Sequence, residues 1–326
     1  MINYFAAGQA YWRPYEKESC DRYFNRVDLP QNSDVLFWRL NTESVTENMH
    51  KQYLDFEKAY NGKIINPMSS FNFTRDKSSC FKIWESNGIC TPKSFEFKSK
   101  DDFYSKLNFN IPLLLRLNDR ATGENTYLIE KESDLEIGLN KVISDYNILR
   151  NHTTKMICVE FIDTKINDKN ISFRIHVAGS KVISGYARIS DDWLAISAKF
   201  TPDLKPAFIE QNKRVKRLID ENYDEIVNSV NILGLHHQGI DVIADSSDKL
   251  YFLEVQPFYF SGRPLGVPNP TKGPYWNPYK PEELVNWLIN DEKNLYREIP
   301  YYYDNWLNKE IHFDNCYKAL EEYVRS

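Results

Sequence analysis

Gly239-Ile240-Asp241-Val242-Ile243-Ala244, the polar break Asp245-Ser246-Ser247-Asp248-Lys249, and Leu250-Tyr251-Phe252-Leu253-Glu254-Val255-Gln256-Pro257 decide the fold of this chain. Two β-rich runs flanking a polar pentapeptide predict an antiparallel hairpin. Symmetric pairing about the turn sets Ala244 against Tyr251, Val242 against Leu253 and Asp241 against Glu254. Successive side chains point to opposite faces. Ile240, Val242, Ala244, Tyr251, Leu253 and Val255 then form an apolar face, while Asp241, Glu254 and Gln256 share the other. Carboxylates placed directly across a ladder repel one another. A cation reverses that sign, and oxygen ligands on a rigid sheet suit Mg²⁺, which takes a few carboxylates together with substrate phosphates. The plainer alternative is a polar face open to water; the Val-Ile and Tyr-Phe-Leu neighbours argue against it by predicting buried strands.

The 326 residues are enough for two or three cooperating lobes around a substantial core. Hydrophobic content of 42% and aromatic content of 14% indicate a folded chain. The formal charge of −5 and the absence of a long basic run point away from nucleic acid or an anionic membrane as partner. Cys20, Cys80, Cys90, Cys158 and Cys316 lack metal-ligand spacing and read as reduced thiols, which predicts a cytoplasmic protein. Met1 to Ala10 is apolar without a basic n-region and reads as a first strand, not an export signal. No apolar run reaches the roughly 20 residues that a membrane span needs.

Strand-like pieces at Ile2–Ala7, Asp34–Leu40 and Lys63–Ile65, with a helix near Glu47–Tyr60, predict an α/β lobe over residues 1–75. Arg75-Asp76-Lys77 opens a helix that Gly88 and Pro92 stop. Residues 76–162 predict a central lobe: strands Ser94–Phe97, Leu113–Leu117, Tyr127–Ile129 and Ile157–Phe161 surround a helix whose capping box is Ser133 with Glu136. Residues 163–290 predict a further lobe. In it Ile171–Val177 and Lys181–Ile189 meet at the tight turn Ala178-Gly179-Ser180, Trp193–Phe200 adds a strand, and a helical region spans Pro206 to Leu233. Residues after Ser261 are rich in Pro, Trp and Tyr and are expected to end in two helices, Pro281–Asn290 and His312–Val324; residues 291–326 form an aromatic-rich helical extension, with Tyr301-Tyr302-Tyr303 and Trp306 as a packing anchor. Adjacent His236 and His237 are expected to satisfy a helix end and not to bind metal.

In this order the pieces resemble the ATP-grasp superfamily, most closely the ribosomal-protein glutamate ligase and glutathione synthetase branch, from about Asp34 to Gln256. Asp34-Val35-Leu36-Phe37-Trp38-Arg39 resembles a first-lobe strand ending in a pocket arginine. Arg75-Asp76-Lys77 followed by Asn87-Gly88-Ile89-Cys90-Thr91-Pro92 is similar to the family's entry to the central lobe. Leu113-Leu114-Leu115-Arg116 stands where the family has a strand ending in lysine, and Val159-Glu160-Phe161-Ile162 resembles the hinge that holds adenine. Phe173-Arg174-Ile175-His176-Val177, Ala187-Arg188 and Glu254-Val255-Gln256 complete the set. The chain departs from the pattern at Arg116, at Ser172, at Gln256 in place of asparagine, in the loop 119–126 with its single glycine, and at Phe258–Arg263 after Pro257.

The resemblance implies an α+β, three-lobed architecture with an α/β N-terminal lobe, and ATP between the central and C-terminal lobes. Lys77 and Arg116 would face the phosphates, and Glu160, Phe161 and Ile162 the adenine. Asp241, Glu254 and Gln256 would hold one or two Mg²⁺ ions, or Mn²⁺, and Arg174 and Arg188 would stabilise an acyl phosphate. Two arginines on neighbouring strands also ask for an anion between them on physical grounds, with pairing to Asp191 or Asp192 as the structural alternative. The implied activity is an ATP-dependent carboxylate–amine ligase acting on small-molecule or peptide substrates. The competing readings are an ATP-dependent kinase on a small-molecule or sugar acceptor, and a nucleotide-binding module that has lost its chemistry.

Overall fold

The computed structural model describes residues 1–8, 12, 14–40, 45–120, 123–151, 153–194, 205–256 and 298–326. The chain begins with β1 (Ile2–Ala7), α1 (Pro14–Tyr23), β2 (Phe24–Arg26), β3 (Val35–Trp38), α2 (Glu47–Lys58) and β4 (Lys63–Ile65). The four strands form one parallel sheet in the order β2-β1-β3-β4. Parallel strands are covered on both faces and read as continuous apolar runs, which is why all four residues of β3 are buried. Thr46 caps α2 by accepting from the Met49 N–H at 3.3 Å. No sequence pattern marks α1: the side chains it buries are Glu16, Ser19 and Cys20, so the helix lacks an apolar stripe.

After α3 (Met68–Phe71), α4 (Lys77–Ser86) leads into β5 (Ser94–Phe97), α5 (Lys100–Lys106), β6 (Leu113–Leu117), β7 (Thr126–Ile129), α6 (Glu132–Leu149) and β8 (Met156–Glu160). Here the sheet is antiparallel, in the order β5-β8-β6-β7. Leu113, Leu115 and Leu117 alternate into the core beneath α5 and α6, which turns Leu114 and Arg116 to the opposite face. The expected capping box is not formed. Helix α6 starts one residue before Ser133, and Glu136 is engaged by Lys100 and by Tyr104 at 2.8 Å.

The third sheet runs β11 (Lys181–Ser190), β10 (Lys169–Ala178), β12 (His237–Ala244), β13 (Leu250–Gln256), with the short β9 (Lys165–Ile166) also paired to β10. One face carries α7 (Lys205–Glu221) and α8 (Tyr223–Asn231). Helix α4 seats against this same core: the Trp84 ring lies 5.8 Å from Phe252, and its indole N–H donates to Ser229 O at 2.7 Å. The opening hairpin forms with Asp241 opposite Glu254, as expected, but a bulge between Asp241 and Val242 shifts the rest of the register. Val242 faces Phe252 and Ala244 faces Leu250, so Leu250, Phe252 and Val255 are the buried residues of β13, while Tyr251 and Leu253 are only half-buried. The bulge lets Phe252 reach the core three residues before Val255 while Glu254 and Gln256 stay on the far face. Trp193 and Leu194 are irregular; the remainder of the strand expected there, Pro281–Asn290 and Phe258–Arg263 lie outside the described residues.

The chain closes with a helical turn at Pro300–Tyr302, a wide turn at Tyr303–Leu307 and α9 (Lys309–Arg325). Helix α9 packs on α1, where Arg22 pairs with Glu310 at 3.0 Å and Asp314 at 2.9 Å, and on the third sheet. Among the described residues no helix is long and apolar enough to cross a membrane.

His236 and His237 do not cap α8. Their backbone N–H groups donate to Asn66 Oδ1 at 2.8 and 2.9 Å, and Asn66 Nδ2 returns a bond to His237 O at 2.7 Å. The pair thus joins the first lobe to β12. Burial lowers both imidazole pKa values to about 4. A histidine held neutral in the folded state binds its proton more readily when unfolded, so its contribution to stability is complete above pH 6.5 and is lost as pH falls toward 4. For His237, about nine-tenths buried, that shift corresponds to about 3 kcal/mol. Urea midpoints should therefore fall between pH 7 and pH 4.5, and the fall should be smaller in His237→Asn; a flat profile in the wild type would refute the coupling.

Candidate active site

The face of the third sheet away from α7 and α8 carries the charged residues. Gly185 lies against Val215 and Ile219 of α7, so its neighbours Ser184, Tyr186 and Arg188 point the other way. Cross-strand partners share a face: Arg174 stands between Tyr186 and Asp241, and Asp241 stands opposite Glu254. Arg174 donates from Nε and from Nη2 to the two oxygens of Asp241, the second bond at 2.7 Å, and from Nη1 to Gln256 Oε1 at 3.0 Å. Arg188 Nη2 is 3.2 Å from Asp241 Oδ1. The arginines thus share Asp241 and not Asp191, which pairs with Lys169. Burial pushes the Asp241 pKa up, but the Arg174 and Arg188 guanidiniums outweigh it and hold the carboxyl well below its ordinary range. Burial likewise works against the charge of Arg188, and Asp241 overcomes it, leaving that guanidinium above its usual pKa.

Lys77 and Arg116 reach the same place from the other side. Asp76 caps α4, accepting from Ser79 N at 3.2 Å, and is itself tied to Asn118 at 2.8 Å and Lys155 at 2.9 Å. That network fixes the first residue of α4, whose Lys77 Nζ lies 2.9 Å from Glu254 Oε2 and 2.8 Å from Arg120 O. Arg116 Nη2 donates to the same carbonyl at 3.1 Å. Two cations converge on one neutral oxygen, an arrangement that an anionic oxygen would satisfy better. The loop that presents this carbonyl runs close to the C-terminal lobe: Gly123, at φ +73°, sits where a Cβ would come within 2.2 Å of Leu194 Cδ2.

The seven charged and amide groups nominated by sequence therefore form one cluster. Lys77, Arg116, Arg174 and Arg188 supply four positive charges against two from Asp241 and Glu254, leaving a surplus of two. Glu160, Phe161 and Ile162 lie elsewhere, at the end of β8. Leu113 pairs with Glu160 and Arg116 with Ile157, so the two points are three residues apart along the sheet, about 10 Å by strand rise. The Glu160 carboxylate accepts from Lys93 N at 3.2 Å, and the Glu160 and Phe161 N–H groups donate to Lys93 O at 2.8 Å and Pro112 O at 3.3 Å. Arg39, the expected pocket arginine, is buried in an ion pair with Glu16 at 2.6 Å. Asp76 was named in the sequence only as part of the Arg75-Asp76-Lys77 helix opening, and Asn118 and Lys155 were not singled out. Only their proximity to Lys77 reveals them, since residues 42 and 79 positions apart meet around Asp76.

Asp241, Glu254 and Gln256 supply hard oxygen donors of the kind Mg²⁺ takes. Among the described residues no group of three or more His, Cys, Asp or Glu side chains forms a metal cluster. With a surplus of positive charge around it, this donor set fits a divalent cation that arrives with polyphosphate, and not a bare one.

A family model for the RimK-like ATP-grasp domain matches residues 74–258. Among curated relatives, the coenzyme gamma-F420-2:alpha-L-glutamate ligase of Methanocaldococcus jannaschii is 26% identical over 145 residues, 44% of this chain and 47% of that protein. Its counterpart in Methanococcus maripaludis is 28% identical over 133 residues, 40% of this chain and 44% of the relative. The match thus spans about half the length of these relatives. Among solved structures, N5-carboxyaminoimidazole ribonucleotide synthetase from Thermotoga maritima superposes with a TM-score of 0.52 at 14% identity, covering 80% of this chain and 70% of that one. The corresponding Staphylococcus aureus synthetase, complexed with ADP, gives 0.51 at 14% identity, covering 80% and 72%. These likenesses establish the α+β ATP-grasp fold, and with the model match over more than half its length the chain belongs to the RimK-like ATP-grasp family.

Proposed function

We propose that this chain is an ATP-dependent carboxylate–amine ligase that forms an amide or peptide bond through an acyl phosphate. The observation that carries the reading is the surplus of two positive charges over the cluster as a whole, in which Lys77 and Arg116 share one carbonyl oxygen. That charge complements the polyphosphate of a metal-bound nucleotide. Adenine would lie against the backbone of residues 160–162, and the phosphates would take the place of Arg120 O between Lys77 and Arg116. Asp241, Glu254 and Gln256 would hold Mg²⁺, which when bound withdraws charge from the phosphate oxygens.

A substrate carboxylate oxygen attacks the γ-phosphorus, the bond to the ADP oxygen breaks, and an acyl phosphate remains. Arg174 and Arg188 stabilise the charge on the transferred group, with Asp241 fixing the direction of both guanidiniums. The amine nitrogen then attacks the acyl carbon, phosphate departs, and the nitrogen loses a proton. No protein nucleophile is required, because positioning and charge stabilisation supply the rate. The relatives' names point to glutamate as a substrate to try first.

The test is ADP release from Mg-ATP with a panel of carboxylates, glutamate included, and hydroxylamine as acceptor. Carboxylate-dependent ADP release with hydroxamate formation is expected. ADP release with a hydroxyl acceptor and no hydroxamate would replace this reading with a kinase, and nucleotide binding without turnover would leave a module without chemistry.

A further inference from the structure

Beyond the charge cluster, the site face of the third sheet continues for another row of residues, and the C-terminal segment covers it. Tyr186 is the cross-strand partner of Arg174, and Ser184 that of His176, so Tyr186 and His176 are diagonal neighbours on this face. The Trp306 indole lies flat over both, its ring centroid 4.5 Å from each at an interplanar angle of 16°. Trp306 is 6% exposed and His176 fully buried, whereas Tyr186 remains half-buried beside the arginines. The Arg188 guanidinium carbon is 5.7 Å from the Tyr186 ring centroid. Behind Trp306, the His312 ring of α9 meets it edge-on at 5.2 Å, and His312 Nδ1 lies 2.7 Å from Asn305 O, so the indole is held from both sides. An aromatic slab therefore stands at the point where the arginine pair gives way to the buried tail.

We propose that Tyr186 and Trp306 form the distal wall of the carboxylate subsite, and that Trp306 limits how long a carboxylate Arg174 and Arg188 can hold. The inference rests on the ligase reading and deepens it: the acyl substrate is a compact carboxylate, of the size of one amino acid. A rigid aromatic wall selects by exclusion, since a group that would extend past Tyr186 meets a ring stacked on two others.

The experiment uses the full chain and a series of glutamate, glutamyl dipeptides and glutamyl tripeptides, with ADP release as readout and MgADP affinity measured in parallel by calorimetry. In Trp306→Ala, MgADP affinity should stay at the wild-type value, while the ratio of kcat/KM for tripeptide over glutamate rises about tenfold or more. Tyr186→Ala should move the ratio the same way, and Trp306→Phe should keep the wild-type profile. If Trp306→Ala does not fold, Tyr186→Ala against Trp306→Phe decides the matter. An unchanged size profile in folded Trp306→Ala or Tyr186→Ala with nucleotide binding intact overturns the wall. A wild type that binds no MgADP overturns the ligase reading itself, and the two failures are thereby distinct.

Discussion

Asp241→Asn should reduce Mg-ATP-dependent ADP release by about 10²–10³-fold, the scale on which removal of one preorganised charged partner acts. The side chain keeps its size, so packing is untouched, and the loss is electrostatic. Arg174 and Arg188, both buried, would face each other across an amide in place of the carboxylate they now share. Removing one member of a buried ionic group costs about 3–5 kcal/mol of stability, so the urea midpoint should fall as well. The sign of a third effect separates this site from a merely structural ion pair. Neutralising Asp241 raises the positive surplus from two to three charges, so metal-free ADP in EDTA should bind at least as tightly as in the wild type, while the gain from adding Mg²⁺ shrinks. A variant that releases ADP at the wild-type rate would remove Asp241 from the metal site. Because the Asp241 pKa is depressed in the folded state, the stability it contributes is present above the ordinary carboxylate pKa near 4 and disappears as pH falls below it. This acid limb lies below the window of His236 and His237, so the two can be read separately.

Asp241, Glu254 and Gln256 were legible from the residues themselves because they sit on strands whose period of two assigns each side chain to a face, whereas Lys77, at the start of α4, was named only through the family resemblance. Asp241 against Glu254, with Gln256 on the same face, followed from counting outward from the turn, whereas Arg174 and Arg188 were named through the family resemblance and as cations on neighbouring strands. The counting failed at Leu253, because an inserted residue changes the register locally without changing the composition that predicts a strand. Local signals misled at Ser133 and Glu136 for a similar reason. The residues match a capping box, but Lys100 and Tyr104 offer Glu136 partners that no local pattern contains. The Asp76, Asn118 and Lys155 network and the Trp306 cover over Tyr186 depend on contacts between distant segments, and a single sequence holds no trace of such pairings. Helix α1 was invisible for the opposite reason, since beside Cys20 it buries the polar Glu16 and Ser19, and Glu16 meets Arg39 and Tyr317 from distant segments.

That buried polar junction carries the second large effect. Glu16 accepts from Arg39 Nη1 at 2.6 Å and Nη2 at 3.1 Å, and from the Tyr317 hydroxyl at 3.1 Å, while the Trp12 ring lies 3.7 Å from the Arg39 guanidinium carbon. Glu16, Arg39 and Tyr317 are all less than a tenth exposed. The carboxylate thus joins three segments, α1, the end of β3 and α9, and the geometry is bidentate, the strongest form of such a pair. Glu16→Ala should lower stability by about 3–5 kcal/mol, because Arg39 would remain buried without its counter-charge. The double variant Glu16→Leu with Arg39→Met removes both charges and keeps most of the volume, so it should recover most of that loss. The recovery is the informative part: a pair whose only role is to bridge the lobes tolerates apolar replacement, whereas an arginine that binds substrate does not. With the double variant near wild-type stability, unchanged kcat/KM for ADP release would place Arg39 in the scaffold that carries α9, and hence Trp306, against the sheet. A large rise in carboxylate KM at unchanged stability would instead return Arg39 to the substrate pocket, as its position at the end of the first-lobe strand suggested.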